Sequence, residues 1–397
     1  MDTDVLIVGA GPAGLCLGNA LAGSGLRVTL VDPQDEADLG DPPDDGREIA
    51  LTRRSRAILD HLGMWSRLPD AAAAPLHEAR VFEGANTRSL RIAPYPRSSE
   101  PLGWMVANHA IRRAAMAALA EHGTVQLRAG RRVVDISIMD HGAAVRLDDG
   151  AELNCRLVVL ADSRHSAMRR RLGIRSSQRD FGRSMLVARM RIQHPQPGCA
   201  WEWFDHGQTL ALLPLQGDLA SVVLTLPQHV VDQLQSLPDD AFEAQMQARF
   251  HDRLGSMKLM SARHAYPLVG VYAHRFSARR LALVGDAAVG MHPVTAHGFN
   301  LGLAGVADLA TQVAVATREG SDIGAAKTLS LYARAHHLRC LPLYLCTQAI
   351  VDLYTAEAGP AHVLRRGILD AAATLPGIRQ ALGTLLADRR RARITVN

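Results

Sequence analysis

The segment VLIVGAGPAGLCLGNALAGSGLRVTLVD, from Val5 to Asp32, constrains the fold of this chain most strongly. The apolar run Val5–Val8 predicts a buried strand, and the glycine-rich run Gly9–Gly14 predicts a tight turn. Leu15–Ala22 then predicts a helix, and Val28–Val31 predicts a second strand parallel to the first. Such a βαβ unit is typical of an open α/β sheet that binds a nucleotide at the carboxyl ends of its strands.

The turn carries a GxGxxG motif made of Gly9, Ala10, Gly11, Pro12, Ala13 and Gly14. Gly9 permits the turn, Gly11 lets the backbone approach a diphosphate, and Gly14 lets the helix pack closely on the strand. The diphosphate would lie at the helix N-terminus, beside Pro12 and Ala13. Asp32 ends the second strand, where its carboxylate can bind ribose hydroxyls. The motif predicts a dinucleotide site, but NAD, NADP and FAD all remain open at this point.

Two more apolar segments, Arg156–Ala161 and Leu281–Gly285, predict strands of the same buried sheet. The segment between them has a different pattern, with short strands separated by polar turns. This spacing predicts an antiparallel sheet. Its predicted strands are Met185–Ile192, Ala200–Phe204, Leu210–Leu215 and Ala220–Leu226.

Charge and cysteine content narrow the classes of function. The chain has 397 residues and a formal net charge of +5. Residues 360–397 contain seven arginines and two aspartates, which accounts for that whole excess, so the body gives no sign of a nucleic-acid surface. Five cysteines without metal-type spacing favour reduced thiols and a cytoplasmic location. The first predicted strand begins at Val5, so no export signal is expected before it.

The segment around Leu283–Ala288 discriminates between the dinucleotides. An apolar strand delivers Asp286 at its end, and MHPVTAHGFNLGL follows. Together with the GxGxxG motif and the aspartate-containing turn Ala161–Ser166, this pattern resembles the single-component FAD-dependent aromatic hydroxylases. Within them it is similar to the ubiquinone-biosynthesis branch, and the stretch GDAAVGMHPVTAHGFNLGL looks closest to the demethoxyubiquinol hydroxylases. The turn departs from the family pattern because Ser163 stands where glycine is usual.

The resemblance implies roles for further residues. Asp286 would bind the ribityl chain of FAD, and Pro293 would lie beside the reactive edge of the isoalloxazine. Backbone amides at the start of a helix would face the pyrimidine end of the ring, where reduced flavin carries negative charge. The residues of that helix start are Gly298, Phe299 and Asn300, and two arginines that match family positions near the flavin are Arg47 and Arg112.

The resemblance also implies a domain organisation. The fold class is α/β, with a three-layer, Rossmann-like FAD-binding domain and an inserted antiparallel-sheet substrate domain like that of p-hydroxybenzoate hydroxylase. C-terminal helices complete it. The FAD-binding domain would comprise residues 1–70, 100–175 and 270–330, and the substrate domain residues 71–99 and 176–269. The C-terminal helices would comprise residues 331–397.

The function implied is an FAD-dependent monooxygenase that hydroxylates a prenylated phenol or quinol ring in ubiquinone biosynthesis. O2 is then a co-substrate, and NAD(P)H a transient reductant without a Rossmann domain of its own. Two alternatives remain open: an FAD-dependent isoprenoid reductase and a non-catalytic flavoprotein scaffold of a quinone-synthesis complex. Residues 360–397 suggest peripheral contact with the inner face of the membrane, through apolar helical faces flanked by arginines.

No catalytic side chain and no metal site are assigned. His292 and His297 would be helix-entry histidines bonded to backbone rather than a base or metal ligands. Trp201 and Trp203 alternate with Glu202 along one strand and would belong to the core or to a pocket wall.

Overall fold

A computed structural model describes residues 1–84, 89–93, 100–205 and 207–355. The described strands are β1 (Val5–Val8), β2 (Val28–Asp32), β3 (Glu48–Thr52), β4 (Ala73–Leu76), β5 (Glu78–Glu83), β6 (Leu90–Ile92), β7 (Gly103–Ala107), β8 (Val125–Ala129), β9 (Val133–Ile138), β10 (Ala143–Leu147), β11 (Glu152–Cys155), β12 (Leu157–Leu160), β13 (Ser176–Ile192), β14 (Cys199–Asp205), β15 (Gln208–Pro214), β16 (Leu219–Pro227), β17 (Met257–Leu259), β18 (His264–Ala273), β19 (Ser277–Ala278), β20 (Leu281–Leu283) and β21 (Val289–Gly290). The described α-helices are α1 (Pro12–Leu21), α2 (Glu36–Gly40), α3 (Arg53–His61), α4 (Asn108–Leu119), α5 (Ala167–Arg171), α6 (Gln228–Ser236), α7 (Asp239–Arg249), α8 (Gly298–Arg318) and α9 (Ala326–Thr355).

A six-stranded sheet holds the N-terminal strand at its centre. Its order is β19-β20-β12-β1-β2-β8, and every pairing except β19 with β20 is parallel. All four residues of β1 and of β12 are buried, as expected for strands covered on both faces. This order brings the carboxyl ends of β1, β12 and β20 side by side, although they are far apart in sequence.

A nine-stranded sheet forms the second large layer. Its strands follow the order β21-β18-β13-β16-β15-β14-β5-β6, and β17 pairs with β13. The pairings are antiparallel apart from β14 with β5, which is parallel. One face of this sheet packs on α6 and α7 around Trp203, Phe242 and Met246, which are fully buried. The domain boundaries given above stay a proposal.

Strand β13 is much longer than the sequence pattern indicates. Met185–Ile192 was expected to be the strand, whereas β13 begins at Ser176. Its first half is polar and lacks alternation, and its pairing with β18 shifts register between Asp180 and Ser184. A strand with a bulge of this kind is not detected from alternation of apolar and polar residues, because the extra residues interrupt the period of two.

Helices α8 and α9 cover the parallel sheet. Among the described helices, α8 has the length and hydropathy to cross a membrane, but 72% of its most apolar window is buried inside the protein. Helix α9 packs on α8, and the buried hydroxyl of Tyr332 donates to the carbonyl of Leu283 at the end of β20. The start of α9 is therefore part of the core around the parallel sheet.

Candidate active site

A cavity of about 630 Å³ lies between the two large sheets. The loops after β1, β12 and β20 line one side, and strands of the nine-stranded sheet line the other. Of the residues predicted to bind the cofactor, the ones that line this cavity are Gly11, Pro12, Ala13, Arg47, Asp286, Pro293, Gly298 and Phe299. The predicted residues outside its lining are Gly9, Gly14, Asp32, Arg112 and Asn300. The structure thus brings most of the predicted set together around one space.

The three glycines of the GxGxxG turn have distinct surroundings. Gly9 has a φ of +103°, and a Cβ there would lie 2.7 Å from the Ala161 carbonyl oxygen. A Cβ on Gly14 would lie 1.9 Å from the Gly9 carbonyl oxygen. A Cβ on Gly11, in contrast, would meet no atom within 4 Å. Gly9 and Gly14 are therefore required by the turn itself, whereas Gly11 borders open space at the start of α1.

Asp32 is held by backbone amides at the end of β2. Its Oδ2 accepts from the Ala10 N–H at 2.7 Å, and its Oδ1 accepts from the Gln34 N–H at 2.9 Å. Arg112 extends this chain by donating from Nη2 to Gln34 Oε1 at 2.9 Å. Each carboxylate oxygen keeps a lone pair, so a ribose hydroxyl can still bind. The roles of Asp32 and Arg112 toward the cofactor stay predictions.

Asp286 meets a side chain from the middle motif. It lies in the short 3₁₀ helix Gly285–Ala287 after β20. Arg164 donates to Asp286 Oδ2 from Nη2 at 2.6 Å and from Nε at 3.0 Å, and from Nη1 to the Val269 carbonyl. Two motifs that are more than 100 residues apart therefore meet through a charge-assisted contact in which two guanidinium N–H groups donate to one carboxylate oxygen. Ser163 is not among the residues with positive φ, so serine fits this turn without strain.

Arg47 lines the same cavity and belongs to a cluster around Asp45. Its Nη2 and Nε donate to Asp45 Oδ2 at 2.6 and 3.0 Å, and Asn108 Nδ2 donates to the same oxygen at 2.7 Å. The Tyr266 hydroxyl donates to the Asp45 carbonyl, and the Arg47 guanidinium lies 5.4 Å from the Tyr266 ring centroid. Burial works to raise the pKa of Asp45, but the hydrogen bonds from Arg47 and Asn108 outweigh it and lower that pKa.

Helix α8 begins at the cavity without a side-chain cap. The first amide that bonds to the preceding turn is the Leu301 N–H, which donates to the His297 carbonyl at 2.9 Å. The amides of Gly298, Phe299 and Asn300 precede it and have no partner within the helix. The Asn300 side chain is engaged elsewhere: its Oδ1 accepts from the Thr52 N–H, and its Nδ2 donates to the Ala50 and Ala296 carbonyls. This side chain ties the start of α8 to β3.

Both histidines of the segment bond to nearby backbone, as predicted. Nδ1 of His292 accepts from the Val294 N–H at 3.2 Å, and Nδ1 of His297 bonds to the Thr295 carbonyl. Burial, reinforced by the charge of Arg179, lowers the pKa of His292 to about 4, so it is neutral at pH 7. Among the described residues no cluster of three or more His, Cys, Asp or Glu side chains could hold a metal.

The nine-stranded sheet supplies a mostly apolar wall to the cavity. Trp201 and Trp203 belong to the core on its other face rather than to the pocket, with ring centroids 5.2 and 5.5 Å from that of Phe82. Side chains alternate along a strand, so Glu202 between them faces the cavity. Its neighbours on the wall include Met185, Val187, Ala211, Leu213 and Val223.

Sequence reasoning assigned no role to three polar residues of the lining: Arg164, Glu48 and Glu202. Burial raises the pKa of Glu48 to about 7, although Arg189 donates to Glu48 Oε1 from Nε at 2.8 Å. Burial alone raises the pKa of Glu202 to about 8. The one signal in the sequence was the alternation Trp201-Glu202-Trp203, which puts a carboxyl on the face opposite two tryptophans.

The residues at the nucleotide end of the cavity fit FAD. Two helix N-termini open onto the same space, α1 beside Gly11 and α8 beside Gly298, and a Cβ on either glycine would meet no atom within 4 Å. Free amides and the positive end of each helix dipole favour negative charge at both places. The first suits a diphosphate and the second suits the pyrimidine end of a reduced isoalloxazine.

Known proteins agree with this assignment. Residues 2–335 match the family described as FAD binding domain. The chain is 42% identical to Ubiquinone hydroxylase UbiM of Neisseria meningitidis over 96% of its own length and 84% of that protein. It is 34% identical to Ubiquinone hydroxylase UbiL of Rhodospirillum rubrum, covering 96% of this chain and 90% of that one. It is also 28% identical to the 3-demethoxyubiquinol 3-hydroxylase of Escherichia coli over 76% of each chain.

Solved structures agree on the fold. The p-nitrophenol 4-monooxygenase PnpA of Pseudomonas putida matches with a TM-score of 0.79 at 17% identity, covering 98% of this chain and 99% of that one. The Diels-Alderase PyrE3 of pyrroindomycin biosynthesis matches with a TM-score of 0.77 at 18% identity, covering 99% and 82%. Because a monooxygenase and a Diels-Alderase share this fold, the fold alone does not specify the activity. With its FAD-binding match and its ubiquinone hydroxylase relatives, the chain belongs to the FAD-dependent aromatic hydroxylases, in the family of the ubiquinone hydroxylases.

Proposed function

We propose that this protein is an FAD-dependent monooxygenase that hydroxylates the ring of a prenylated phenol or quinol in ubiquinone biosynthesis. The observation that carries the proposal is that one cavity contains both halves of such a site. The nucleotide motifs border one side, and an apolar sheet face borders the other. The similarity to the two ubiquinone hydroxylases supports the substrate class.

When bound, reduced FAD supplies the activation of O2, with NAD(P)H as the source of electrons. The chain has three tasks around it. The starts of α1 and α8 bind the diphosphate and the ring. Asp286, held by Arg164, binds the ribityl chain, and Asp32 binds the ribose. The apolar wall positions the substrate ring and excludes water from the reacting atoms.

The finer assignment is demethoxyubiquinol hydroxylation. The segment GDAAVGMHPVTAHGFNLGL supports it, and so does the similarity to the 3-demethoxyubiquinol 3-hydroxylase. The relatives do not favour the isoprenoid reductase or the non-catalytic scaffold.

The test is oxygen incorporation combined with genetic rescue. Purified protein supplied with NAD(P)H, ¹⁸O2 and a short-chain demethoxyquinol should form a product that carries one ¹⁸O atom in a new hydroxyl group on the ring. A deletion strain should accumulate a quinone precursor that lacks a hydroxyl, and Asp286→Ala should fail to rescue it. A product oxygen derived from water, or full rescue by a variant that has lost its flavin, would contradict the proposal.

The substrate class suggests contact with a lipid surface. A prenyl tail gains about 0.8 kcal/mol per buried methylene in a bilayer, so the enzyme meets its substrate there. Leu331, Leu338 and Leu345 are spaced seven residues apart on α9 and are 52%, 66% and 56% exposed, which supports docking by this face. The arginine-rich residues 360–397 were predicted to dock as well, and they lie outside the described residues. We also propose assembly with other quinone-synthesis proteins on the cytoplasmic side.

Truncation after Gly359 tests the docking role. The truncated protein should remain soluble and flavin-loaded but should sediment less with vesicles of anionic lipid. Binding equal to that of the full chain would refute a role for residues 360–397, and loss of flavin would show that they stabilise the fold instead.

A further inference from the structure

Glu202 lies at one end of a row of side chains on the apolar wall. It lies on β14, opposite Ala211 of β15, and the same row of the sheet continues through Val223 and Val187. All four side chains line the cavity. Among the described residues, Glu202 is the only carboxylic acid that the nine-stranded sheet contributes to the lining.

The carboxyl of Glu202 makes no hydrogen bond or ion pair with any other described residue. This separates it from Glu48, which Arg189 binds, and from Asp286, which Arg164 binds. Glu202 is half-buried, and a carboxyl withdrawn from bulk water without a partner is costly for folding, because its desolvation is not offset by hydrogen bonds. Such a group in a cavity wall is typical of a site whose partner is the ligand.

The reaction has a use for a proton acceptor at this wall. A ring carbon accepts an electrophilic oxygen more readily when its ring hydroxyl has lost the proton, because the electron pair left on that oxygen is delocalised into the ring. Among side chains, a carboxylate within hydrogen-bond reach is a competent general base when its pKa lies near the working pH. Burial, which raises the pKa of Glu202 to about 8, puts it in that range.

We propose that Glu202 is the catalytic base that binds the ring hydroxyl of the substrate and takes its proton. In this step the hydroxyl O–H bond breaks, a carboxyl O–H bond forms, and the electron pair stays on the ring oxygen. Glu202 becomes a neutral acid that donates a hydrogen bond to the phenolate. The inference deepens the function proposed above and rests on it.

Other charged groups face the same cavity from the elements packed around it. They are Arg47, Glu48, Asp162, Arg164, His165, Tyr266, Asp286 and His292. Burial is the only cause of the shift at Glu202, so none of these groups sets its titration in the free protein. Glu48, whose pKa is about 7, lines the same cavity, so a step in the pH profile is assigned to Glu202 only if Glu202→Gln removes it and Glu48→Gln retains it.

The first test uses a chromophoric phenol and no turnover. 4-Nitrophenol is bound to oxidised, flavin-loaded protein, and the phenolate absorbance of the bound fraction is measured from pH 6 to 9. When bound to wild type, 4-nitrophenol should remain ionised down to a lower pH than it does free in water. Glu202→Gln should bind it as the neutral phenol at low pH, and Glu83→Gln, on the neighbouring strand β5 outside the cavity lining, should behave as wild type.

The second test follows turnover. Glu202→Gln should form at least about tenfold less hydroxylated product per NAD(P)H consumed than wild type. Glu202→Asp should recover part of the product. Product yield in Glu202→Gln should rise steeply across a series of substrates with more acidic ring hydroxyls, because these need no base.

The outcomes separate the inference from the function on which it rests. Two results would overturn the role of Glu202 even if wild type hydroxylates its substrate. One is an equal phenolate fraction in wild type and Glu202→Gln, and the other is a product yield of Glu202→Gln that does not change with the acidity of the ring hydroxyl. If wild type itself forms no ¹⁸O-labelled product, the proposed function fails, and with it this inference.

Discussion

Replacing Glu202 with glutamine should stabilise the fold at alkaline pH, in addition to any effect on turnover. The pKa of Glu202 rises from 4.5 to about 8 because the folded protein buries the carboxyl. The folded-state pKa is the higher one, so the stability tied to this group is complete below about pH 4.5 and is lost as the pH rises toward 8. Since one pKa unit corresponds to 1.36 kcal/mol, the fold should be about 3 kcal/mol less stable at pH 7 than at low pH, because the unfolded chain ionises Glu202 whereas the folded protein keeps it protonated.

The assay is urea unfolding of the flavin-loaded protein at pH 5 and pH 8, followed by tryptophan fluorescence. The free energy of unfolding of Glu202→Gln should exceed that of wild type by less than about 1 kcal/mol at pH 5 and by roughly 4 kcal/mol at pH 8. Glu83→Gln, on β5 outside the cavity lining, is the matched control and should follow wild type at both pH values. A difference between Glu202→Gln and wild type that is the same at both pH values would refute the reasoning, because a packing effect does not titrate.

Three further substitutions probe the cofactor site and the core. Gly14→Ala should fail to fold or lose FAD, because its Cβ would lie 1.9 Å from the Gly9 carbonyl oxygen, whereas Gly11→Ala should keep its melting temperature and lose FAD affinity in a fluorescence titration. Trp203→Ala should lower the free energy of unfolding by about 3 to 5 kcal/mol in urea, since the ring is fully buried. Asn300→Ala should cost about 1 to 3 kcal/mol by leaving the Thr52 N–H and two carbonyls unpaired, and should increase the H2O2 formed per NAD(P)H consumed.

Much of the fold could be predicted because its signals are local. The buried strands β1 and β2 and the turn between Gly9 and Gly14 are signalled by residues within one βαβ unit, and Gly14 is required by its close contact with Gly9 in the same turn. The register break in β13 could not be predicted, because it depends on how that strand meets β18.

The site divides in the same way. The motif residues were named from spacing, but the contact between Arg164 and Asp286 needs two distant loops to meet. Glu202 could not be identified as a cavity residue from the sequence, since alternation gives two faces and does not say which one is buried against helices. The side of the sheet is decided by α6 and α7, which cover Trp203.

The strand order of the parallel sheet has a consequence for synthesis of the chain. Val5 pairs with Leu157, and β12 pairs in turn with β20, which ends at Leu283. The nucleotide-binding edge therefore cannot be completed until more than two thirds of the chain has left the ribosome. Until β12 has emerged, the apolar residues of β1 have β2 as a neighbour but lack β12, and contacts between such distant segments form slowly. We expect early ribosome-bound chains to be protease-sensitive around Val8 and to become protected only after α8 has emerged.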